Sequence, residues 1–346
     1  MPAKTKKTKA VPSLFLKEDA NFLEYPTWVI SAPFRESKEL VIKRENGKFV
    51  LRTTADRLPT KEDRKVVLCL IALFFQQITQ FKLASVVPVY TFAVQTTTRE
   101  LSKQVFGYYK RDYSDKRLEA ILERLASTTI IFDGVFYENG RYVRKVFHYL
   151  SGYELEKETG ELTVYLDEQL VKNLVRTSYF RFLNYKELQK LTSGVALRLF
   201  EVLCKAFLYR NQWKIGFSKL AQKLTVSTEH FSHFIREIKK AVKEINKKTS
   251  LKIDLQINML DGIFTFRKLA DSSETEKLVL DTDKALCDLE AMEFIGTWQD
   301  SKGREIIVTH ISTGVWAFLP HGAMKLESKG LEWFKEKVKS GEFVKV

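Results

Sequence analysis

The sequence predicts an α+β protein in which one unit of helices and strands occurs twice in tandem, followed by a small β-rich module. Two observations support this fold class. The same order of predicted elements, ending each time in a β-hairpin, runs through residues 22–150 and again through residues 151–270. In addition, 45% of the 346 residues are hydrophobic and 29% are charged, a composition that allows each unit to bury a core.

The first unit begins with a long helix. Thr60 is a good N-cap for it, Asp63 is placed to reach back to the cap, and the apolar pattern continues to about Phe81. A strand is expected over Val86–Phe92. The apolar run Val66–Phe75 is about half the length needed to cross a bilayer, so we expect a buried helix and no membrane partner.

Two further helices and a hairpin complete the first unit. Thr97 opens a capping box for a short helix that stops at Gly107, and Ser114 is predicted to cap the third helix. Asn139-Gly140 is a strong signal for a tight turn between two strands. The third helix is expected to bury four residues at helical spacing: Leu118, Ile121, Leu122 and Leu125.

The second unit repeats this plan. A tight turn at 225–227 and a hairpin turn at Asp261-Gly262 separate its elements. Helix, strand, short helix, turn, helix and hairpin is the order of a winged helix-turn-helix domain, so the sequence predicts two such domains in tandem. The predicted elements are Val195–Tyr209 (helix), Trp213–Phe217 (strand), Ser218–Leu224 (short helix), Thr228–Lys247 (long helix), and strands over 251–257 and 263–267.

Charge is concentrated in the part of the chain that holds the two units. The net charge is +14, yet residues 271–346 carry −4, which leaves +18 for residues 1–270. Such a distribution indicates a polyanionic partner. We expect residues 1–21 to be a flexible basic tail that attracts DNA non-specifically, and residues 271–284 to be an acidic linker.

The long helix of the second unit carries the strongest signal for DNA binding. Its apolar side is predicted to comprise Phe231, Phe234, Ile235, Ile238, Val242 and Ile245. The opposite side then presents short polar groups near the N-terminus and cations farther along, as a recognition helix requires. We assign base contacts to Thr228, Ser232, His233 and Arg236, and contacts with the DNA backbone to Lys239, Lys240, Lys243 and Lys247. The alternative is an ordinary solvated face.

The third helix of the first unit is a weaker candidate, because residues 114–127 have no net charge. This unit is expected either to contact phosphates through its turn and hairpin or to serve mainly as a protein interface. The candidate phosphate contacts are Lys110, Arg111, Lys116, Arg117, Arg141, Arg144 and Lys145.

No catalytic residue, cofactor or metal is predicted. A GxxxxGK[ST] phosphate loop is absent, and His230 and His233 lack the glutamate or cysteines that complete a metal site. Asp281-Thr282-Asp283 lies in a polar stretch that is typical of a linker. The three cysteines are widely separated, which favours a reducing, cytoplasmic location.

Residues 285–346 are predicted to form three short strands and a closing helix. The strands are expected at 293–298, 304–311 and 315–319, and the helix at 331–339. Five aromatic residues are candidates for its small core: Phe294, Trp298, Trp316, Phe318 and Trp333. As an alternative, Trp298 or Trp316 would stack on single-stranded bases.

Several short segments resemble the replication initiator proteins of theta-replicating plasmids, and especially replication initiator protein A. They are Phe22-Leu23-Glu24-Tyr25-Pro26, Leu58-Pro59-Thr60, Leu118 to Leu125 followed by Ser127 to Ile130, Tyr179 to Leu183 and Arg198 to Val202. The resemblance covers roughly residues 22–268 and has no counterpart for 285–346.

This resemblance implies that the protein binds directly repeated double-stranded origin DNA, promotes origin melting and recruits the host replication initiator and the replicative helicase. It also implies a homodimer through the first winged-helix domain that represses its own gene, with the second domain as the principal DNA reader. Two alternatives stay open: a winged-helix transcriptional repressor without a replication role, and a metal-dependent nicking or priming enzyme.

Overall fold

The computed structural model describes residues 15–81, 92–176, 179–207, 210–227, 230–269, 294, 296–311, 314–319, 322–326 and 328–346. Its helices are α1 (Ala20–Glu24), α2 (Ala32–Arg35), α3 (Lys61–Phe81), α4 (Thr98–Phe106), α5 (Arg111–Ala126), α6 (Glu168–Arg176), α7 (Tyr185–Lys190), α8 (Gly194–Ala206), α9 (Phe217–Leu224), α10 (Phe231–Lys248) and α11 (Ser328–Lys339).

The strands fall into five antiparallel sheets within these residues, ordered β1-β9, β2-β3-β5-β6, β4-β8-β7, β10-β12-β11 and β16-β15-β14-β13-β17. Their bounds are β1 (Phe15–Asp19), β2 (Glu39–Arg44), β3 (Gly47–Thr53), β4 (Ala93–Thr97), β5 (Thr128–Glu138), β6 (Arg141–His148), β7 (Leu150–Leu155), β8 (Glu161–Leu166), β9 (Phe180–Asn184), β10 (Gln212–Gly216), β11 (Ile253–Asn258), β12 (Ile263–Lys268), β13 (Gly296–Asp300), β14 (Glu305–Ile311), β15 (Gly314–Leu319), β16 (Gly322–Lys325) and β17 (Phe343–Lys345).

The helix boundaries of the first domain follow the capping signals. The Asp63 carboxylate accepts hydrogen bonds from the backbone N and the hydroxyl of Thr60, both at 2.7 Å, at the start of α3. Thr97 Oγ1 accepts from the backbone N of Glu100 at 3.1 Å, and Gly107 ends α4 with φ +80°. The predicted caps of α3 and α4 are therefore confirmed. The predicted strand 86–92 lies outside the described residues except for its last position.

One cap prediction is wrong. α5 begins at Arg111, so Ser114 lies in the first turn of the helix and does not precede it. Its hydroxyl accepts from the backbone N of Lys110 at 2.9 Å and thus ties the first turn to the preceding residue. The expected buried face of α5 is confirmed: Leu118, Ile121, Leu122 and Leu125 are all buried.

The second domain matches its predicted order of elements. α8, β10, α9, α10 and the hairpin β11–β12 all lie within a few residues of the predicted positions. The turn after α9 places Thr225 in the left-handed region with φ +51°. α10 begins at Phe231, later than the predicted Thr228, which lies outside the described residues.

The hairpin that the sequence predicts as the wing of the first domain does not lie in the same sheet as the winged-helix strand β4. Asn139 and Gly140 do form its turn, with φ +49° and +81°, but β5 and β6 pair within the sheet β2-β3-β5-β6. The winged-helix strand β4 pairs with β8 instead, so the hairpin β7–β8 holds the place that β11–β12 holds in the second domain. Arg141, Arg144 and Lys145 therefore lie on β6 and not on the wing of this domain.

The predicted flexible tail is shorter than residues 1–21. Residues 15–19 form β1, which pairs with β9, and residues 20–21 begin the buried helix α1. Residues 1–14 and the predicted linker 271–284 lie outside the described residues. Because β7 and β8 join β4 in one sheet, the first winged-helix domain extends past the predicted limit at residue 150. The limits given to the remaining units stay predictions.

Both winged-helix domains share one hydrophobic core, which runs from Leu16 to Phe266. A buried charge cluster lies within it. Arg64 of α3 contacts Glu18 at 2.8 Å and Glu201 of α8 at 2.7 Å. Glu201 also accepts from Arg198 and from Trp28 Nε1, both at 3.1 Å. Burial would raise the pKa of Glu201, but the two guanidinium groups lower it and keep the carboxylate charged.

The C-terminal module has its own core. The three predicted strands and the helix are confirmed, and β16 and β17 extend the sheet to five strands. Trp298 is buried, packs edge-on against Phe334 and donates its Nε1 hydrogen bond to Phe294 O at 2.8 Å. Because its ring is enclosed, the alternative that Trp298 stacks on bases is wrong.

Candidate nucleic-acid interface

Packing of its apolar side fixes how α10 is oriented. Phe234, Ile235, Ile238, Val242 and Ile245 are buried against the shared core, and Phe231 is partly buried at the first turn. The Phe234 ring contacts those of Phe217 in α9 and Phe264 in β12 edge-on, at 5.0 and 5.7 Å. The predicted apolar stripe is confirmed, and the other side of α10 must face outward.

The outward side carries the predicted candidate residues. The exposed members are Ser232, His233, Arg236, Lys239, Lys240, Lys243 and Lys247. Most of them line one shallow groove together with Ile235. Within the described residues, no ion pair or side-chain hydrogen bond engages Arg236, Lys239, Lys243 or Lys247. Their charges are therefore available to an external anion.

The described acids on α10 do not cancel this charge. Glu237 pairs with Lys240 at 3.0 Å. Glu244 turns toward the segment that precedes α8, where it accepts from Thr192 N at 2.7 Å. It also accepts from Lys248 Nζ, one turn farther along α10, at 2.7 Å. Burial would raise the pKa of Glu244, but the bonds from Lys248 and Thr192 lower it, so this carboxylate stays charged and is used within the domain.

The elements around α10 complete the motif. α9 packs across its N-terminal part, since the Phe217 ring lies 4.7 Å from that of Phe231. Ile30 N donates to Thr225 Oγ1 at 3.0 Å, which ties the turn between α9 and α10 to the N-terminal segment. Sequence reasoning did not find this support, because the two residues are far apart in the chain.

In the first domain, the cations near α5 have mixed surroundings. Lys110, Arg111 and Lys116 are exposed. Arg117 instead forms an ion pair with Glu62 of α3, donates to the Tyr108 hydroxyl at 2.6 Å and stacks over the Phe106 ring at 4.3 Å. It is engaged within its own domain.

The wing of this domain is acidic. The only charged residues of β7, β8 and the turn between them are Glu154, Glu156, Lys157, Glu158 and Glu161. Arg111 donates to Glu158 O at 3.2 Å, so the wing lies beside the start of α5. Such a wing repels phosphate, and sequence reasoning missed it because the hairpin was assigned elsewhere.

The cations on β6 lie in the four-stranded sheet, away from a helix-turn-helix. Arg141 and Arg144 are exposed, and Arg144 lies 3.9 Å from Asp133. Lys145 forms an ion pair with Glu138 and lies over the Phe136 ring at 4.9 Å. These positions do not join the α10 face through any described contact.

The described residues offer neither a metal site nor a membrane-spanning helix. Within the described residues, no group of three His, Cys, Asp or Glu side chains is placed to hold a metal ion, and His230 and His233 have no third ligand. None of the described helices combines the length and the apolar character that a membrane span needs.

Most of the chain matches a known protein family. The family model for replication initiator protein A matches residues 17–251. The structure is similar to a crystal structure of selenomethionine derivatives of domains 2 and 3 of RctB, at 12% identity and a TM-score of 0.49, covering 73% of this chain and 99% of that chain. No curated protein matches the sequence. Because the family model covers more than half of the chain, this protein belongs to the replication initiator protein A family.

Proposed function

We propose that this protein initiates replication of a plasmid or a similar small replicon by binding directly repeated double-stranded origin DNA in a sequence-specific manner. The observation that carries the proposal is the exposed cationic face of α10, held between the short helix α9 and the hairpin β11–β12. Membership of a replication initiator family supports it.

The roles on α10 follow from position along the helix. Ser232, His233 and Arg236 lie near the N-terminus and are suited to base edges, with Arg236 as a bidentate partner for guanine. Thr228 keeps the same proposed role. Farther along the helix, Lys239, Lys240, Lys243 and Lys247 hold the phosphates.

The first winged-helix domain has a different role in this proposal. Its acidic wing disfavours a close approach to phosphate, so we infer that it serves mainly in homodimer formation. Lys110, Arg111 and Lys116 then supply secondary phosphate contacts. Arg117 and Lys145, which have partners inside the domain, act chiefly in holding the fold.

Replication further requires origin melting and partners. The sequence has no phosphate loop for nucleotide hydrolysis, so DNA unwinding has to come from a recruited replicative helicase together with the host initiator. Binding at its own promoter would make the protein an autorepressor. All these steps take place in the cytoplasm.

A transformation assay tests the proposal. The gene with its flanking DNA is placed on a vector that lacks an origin, and the number of stable transformants is measured. We expect plasmid maintenance. We also expect tandem direct repeats of about 20 base pairs beside the gene, because two helical turns of about 10.5 base pairs each place successive binding sites on the same side of the duplex. Arg236→Ala should abolish maintenance, whereas Lys302→Ala, at an exposed lysine of the C-terminal module, should preserve it.

The alternatives give different results. A repressor without a replication role binds the flanking DNA but yields no transformants. A nicking or priming enzyme relaxes supercoiled origin DNA, or makes primers on it, with Mg²⁺ or Mn²⁺ present. Either result would contradict the proposed function.

A further inference from the structure

Two adjacent apolar side chains stand at the tip of the hairpin that follows α10. Leu260 is 98% exposed and Met259 is 60% exposed, in the turn between β11 and β12. Among large hydrophobic side chains of the described residues, Leu260 has the highest exposed fraction. Single exposed apolar residues are common, but two neighbours at the end of a hairpin form a protruding apolar point.

Hydrogen bonds give this turn a defined shape. Asn258 Oδ1 accepts from the backbone N of Leu260 at 3.0 Å and of Asp261 at 3.3 Å. Asn258 Nδ2 donates to Asp261 Oδ2 at 2.6 Å, which holds the one carboxylate of the turn against it. Gly262 adopts φ +60°, a conformation that glycine tolerates well. The apolar pair is thus presented on a preorganised turn, which lowers the entropy cost of inserting it into a partner.

Contacts through Phe217 connect this tip to the start of α10. The backbone N of Phe217 donates to Gly262 O at 2.8 Å. The Phe217 ring in turn lies 4.7 Å from the ring of Phe231, the first residue of α10. The tip therefore lies at the end of the domain that also carries Ser232 and His233.

We propose that Met259 and Leu260 form a wedge that enters the DNA minor groove beside the bases read by α10 and partly unstacks a base step there. This inference rests on the proposed DNA binding by α10. With that helix in the major groove, a hairpin that projects from the same end of the domain meets the adjacent minor groove. Leucine and methionine are among the side chains that other proteins insert between base steps, with kinks of about 20° to 90°.

Insertion between bases removes the apolar surface of Leu260 from water, which favours the bent complex. Flexible pyrimidine–purine steps deform most easily, so the wedge should select such a step next to the segment that α10 reads. The same contact supplies local unstacking of the duplex without any nucleotide hydrolysis.

The experiment uses the full-length protein and the duplex that it selects from a random pool. The duplex carries 2-aminopurine at single adenine positions, whose fluorescence rises on unstacking, and a pair of dyes at its ends that reports bending. The test variant is Leu260→Ser. Leu269→Ser is the matched control, because Leu269 is a 47% exposed leucine at the other end of the same hairpin. Leu260→Phe tests rescue by another wedge residue.

We expect the wild type and Leu269→Ser to raise the fluorescence at one base step severalfold and to shorten the end-to-end distance. Leu260→Ser should still prefer the selected duplex over a scrambled one but lose both signals, and Leu260→Phe should restore them. The wedge is overturned if Leu260→Ser unstacks and bends the duplex like the wild type, or if the wild type binds specifically without either signal. If the wild type bound the selected and the scrambled duplex equally well, the result would instead contradict the DNA-binding proposal.

Discussion

Arg236 and Lys243 lie on the same exposed side of α10, but their positions give them different expected roles. Arg236 is near the N-terminus of the helix, where base edges are within reach, and its planar guanidinium can bind two acceptors of guanine at once. Lys243 is about two turns farther along, where a flexible ammonium group meets phosphates. At the residue scale, the two substitutions should therefore separate specificity from general affinity.

Arg236→Ala should weaken binding to the selected duplex by about 1 to 3 kcal/mol and relax sequence preference at one base pair. The reason is the loss of a bidentate contact that only the correct base provides. Fluorescence anisotropy on the selected duplex and on its single-base variants measures this effect. A uniform loss on all duplexes would contradict the assigned role.

Lys243→Ala should weaken binding to the selected and the scrambled duplex by the same factor. It should also reduce the slope of log affinity against log salt by about one, because one fewer phosphate is neutralised. Titrations at several salt concentrations measure the slope, with Lys302→Ala as the control that leaves it unchanged. An unchanged slope for Lys243→Ala would exclude this contact.

Glu24 shows how one carboxylate joins three elements. It lies at the end of α1 and pairs with Lys205 of α8 at 2.9 Å and with Lys223 of α9. Burial would raise its pKa, but the two ammonium groups outweigh this effect and lower the pKa to about 2. At the element scale, α1 is thereby fixed to the two helices that lead into the DNA-binding motif.

The free energy of unfolding should depend on the ionisation of Glu24. Because its pKa falls from 4.5 in the reference state to about 2 in the folded protein, the stabilisation is present above about pH 4.5 and is lost as pH falls toward 2. Urea unfolding between about pH 5 and pH 2 should show a steeper loss for the wild type than for Glu24→Gln. Glu123→Gln, at an exposed glutamate, is the control that keeps the wild-type slope. Parallel curves for wild type and Glu24→Gln would contradict this contribution.

Elements set by local signals were predicted from the sequence, and those set by distant partners were not. Thr97 and Gly107 bound α4 as predicted, since a cap acts on residues a few positions away. The turn at Asn139-Gly140 was also predicted, but no local signal shows that β4 pairs with β8 and not with β5 or β6. The outward face of α10 could be predicted because it follows from the spacing of apolar residues in the helix. The acidic wing of the first domain could not be predicted, because it depends on which strands pair.

The shared core links the two winged-helix domains at the scale of the whole molecule. Arg64 in α3 and Glu201 in α8 are both buried and lie 2.7 Å apart, with Glu18 on the other side of the guanidinium. Separating the domains would leave these charges buried without partners or expose the surrounding apolar surface. We therefore expect the two domains to unfold together, a property that the repeated sequence pattern alone does not indicate.

Native-state hydrogen exchange in increasing urea measures this coupling. Amides of α3 and α8 should lose protection at the same urea concentration. Glu201→Ala should lower the opening free energy of both helices by about 3 to 5 kcal/mol, as expected for breaking a buried ion pair. Arg57→Ala, at an exposed pair with Asp56, should change it by about 0 to 1 kcal/mol. Protection that persists in α8 after α3 has opened would show two independent domains.

The most direct test of DNA reading by α10 is the ratio of two dissociation constants, for the selected duplex and for a scrambled duplex of the same length, at one salt concentration. For the wild type we expect tighter binding to the selected duplex by at least about 10³-fold. For a variant with alanine at Ser232, His233 and Arg236, the ratio should fall to within about tenfold of one, while the lysines farther along α10 preserve non-specific affinity. An undiminished ratio in that variant would contradict sequence recognition by this helix.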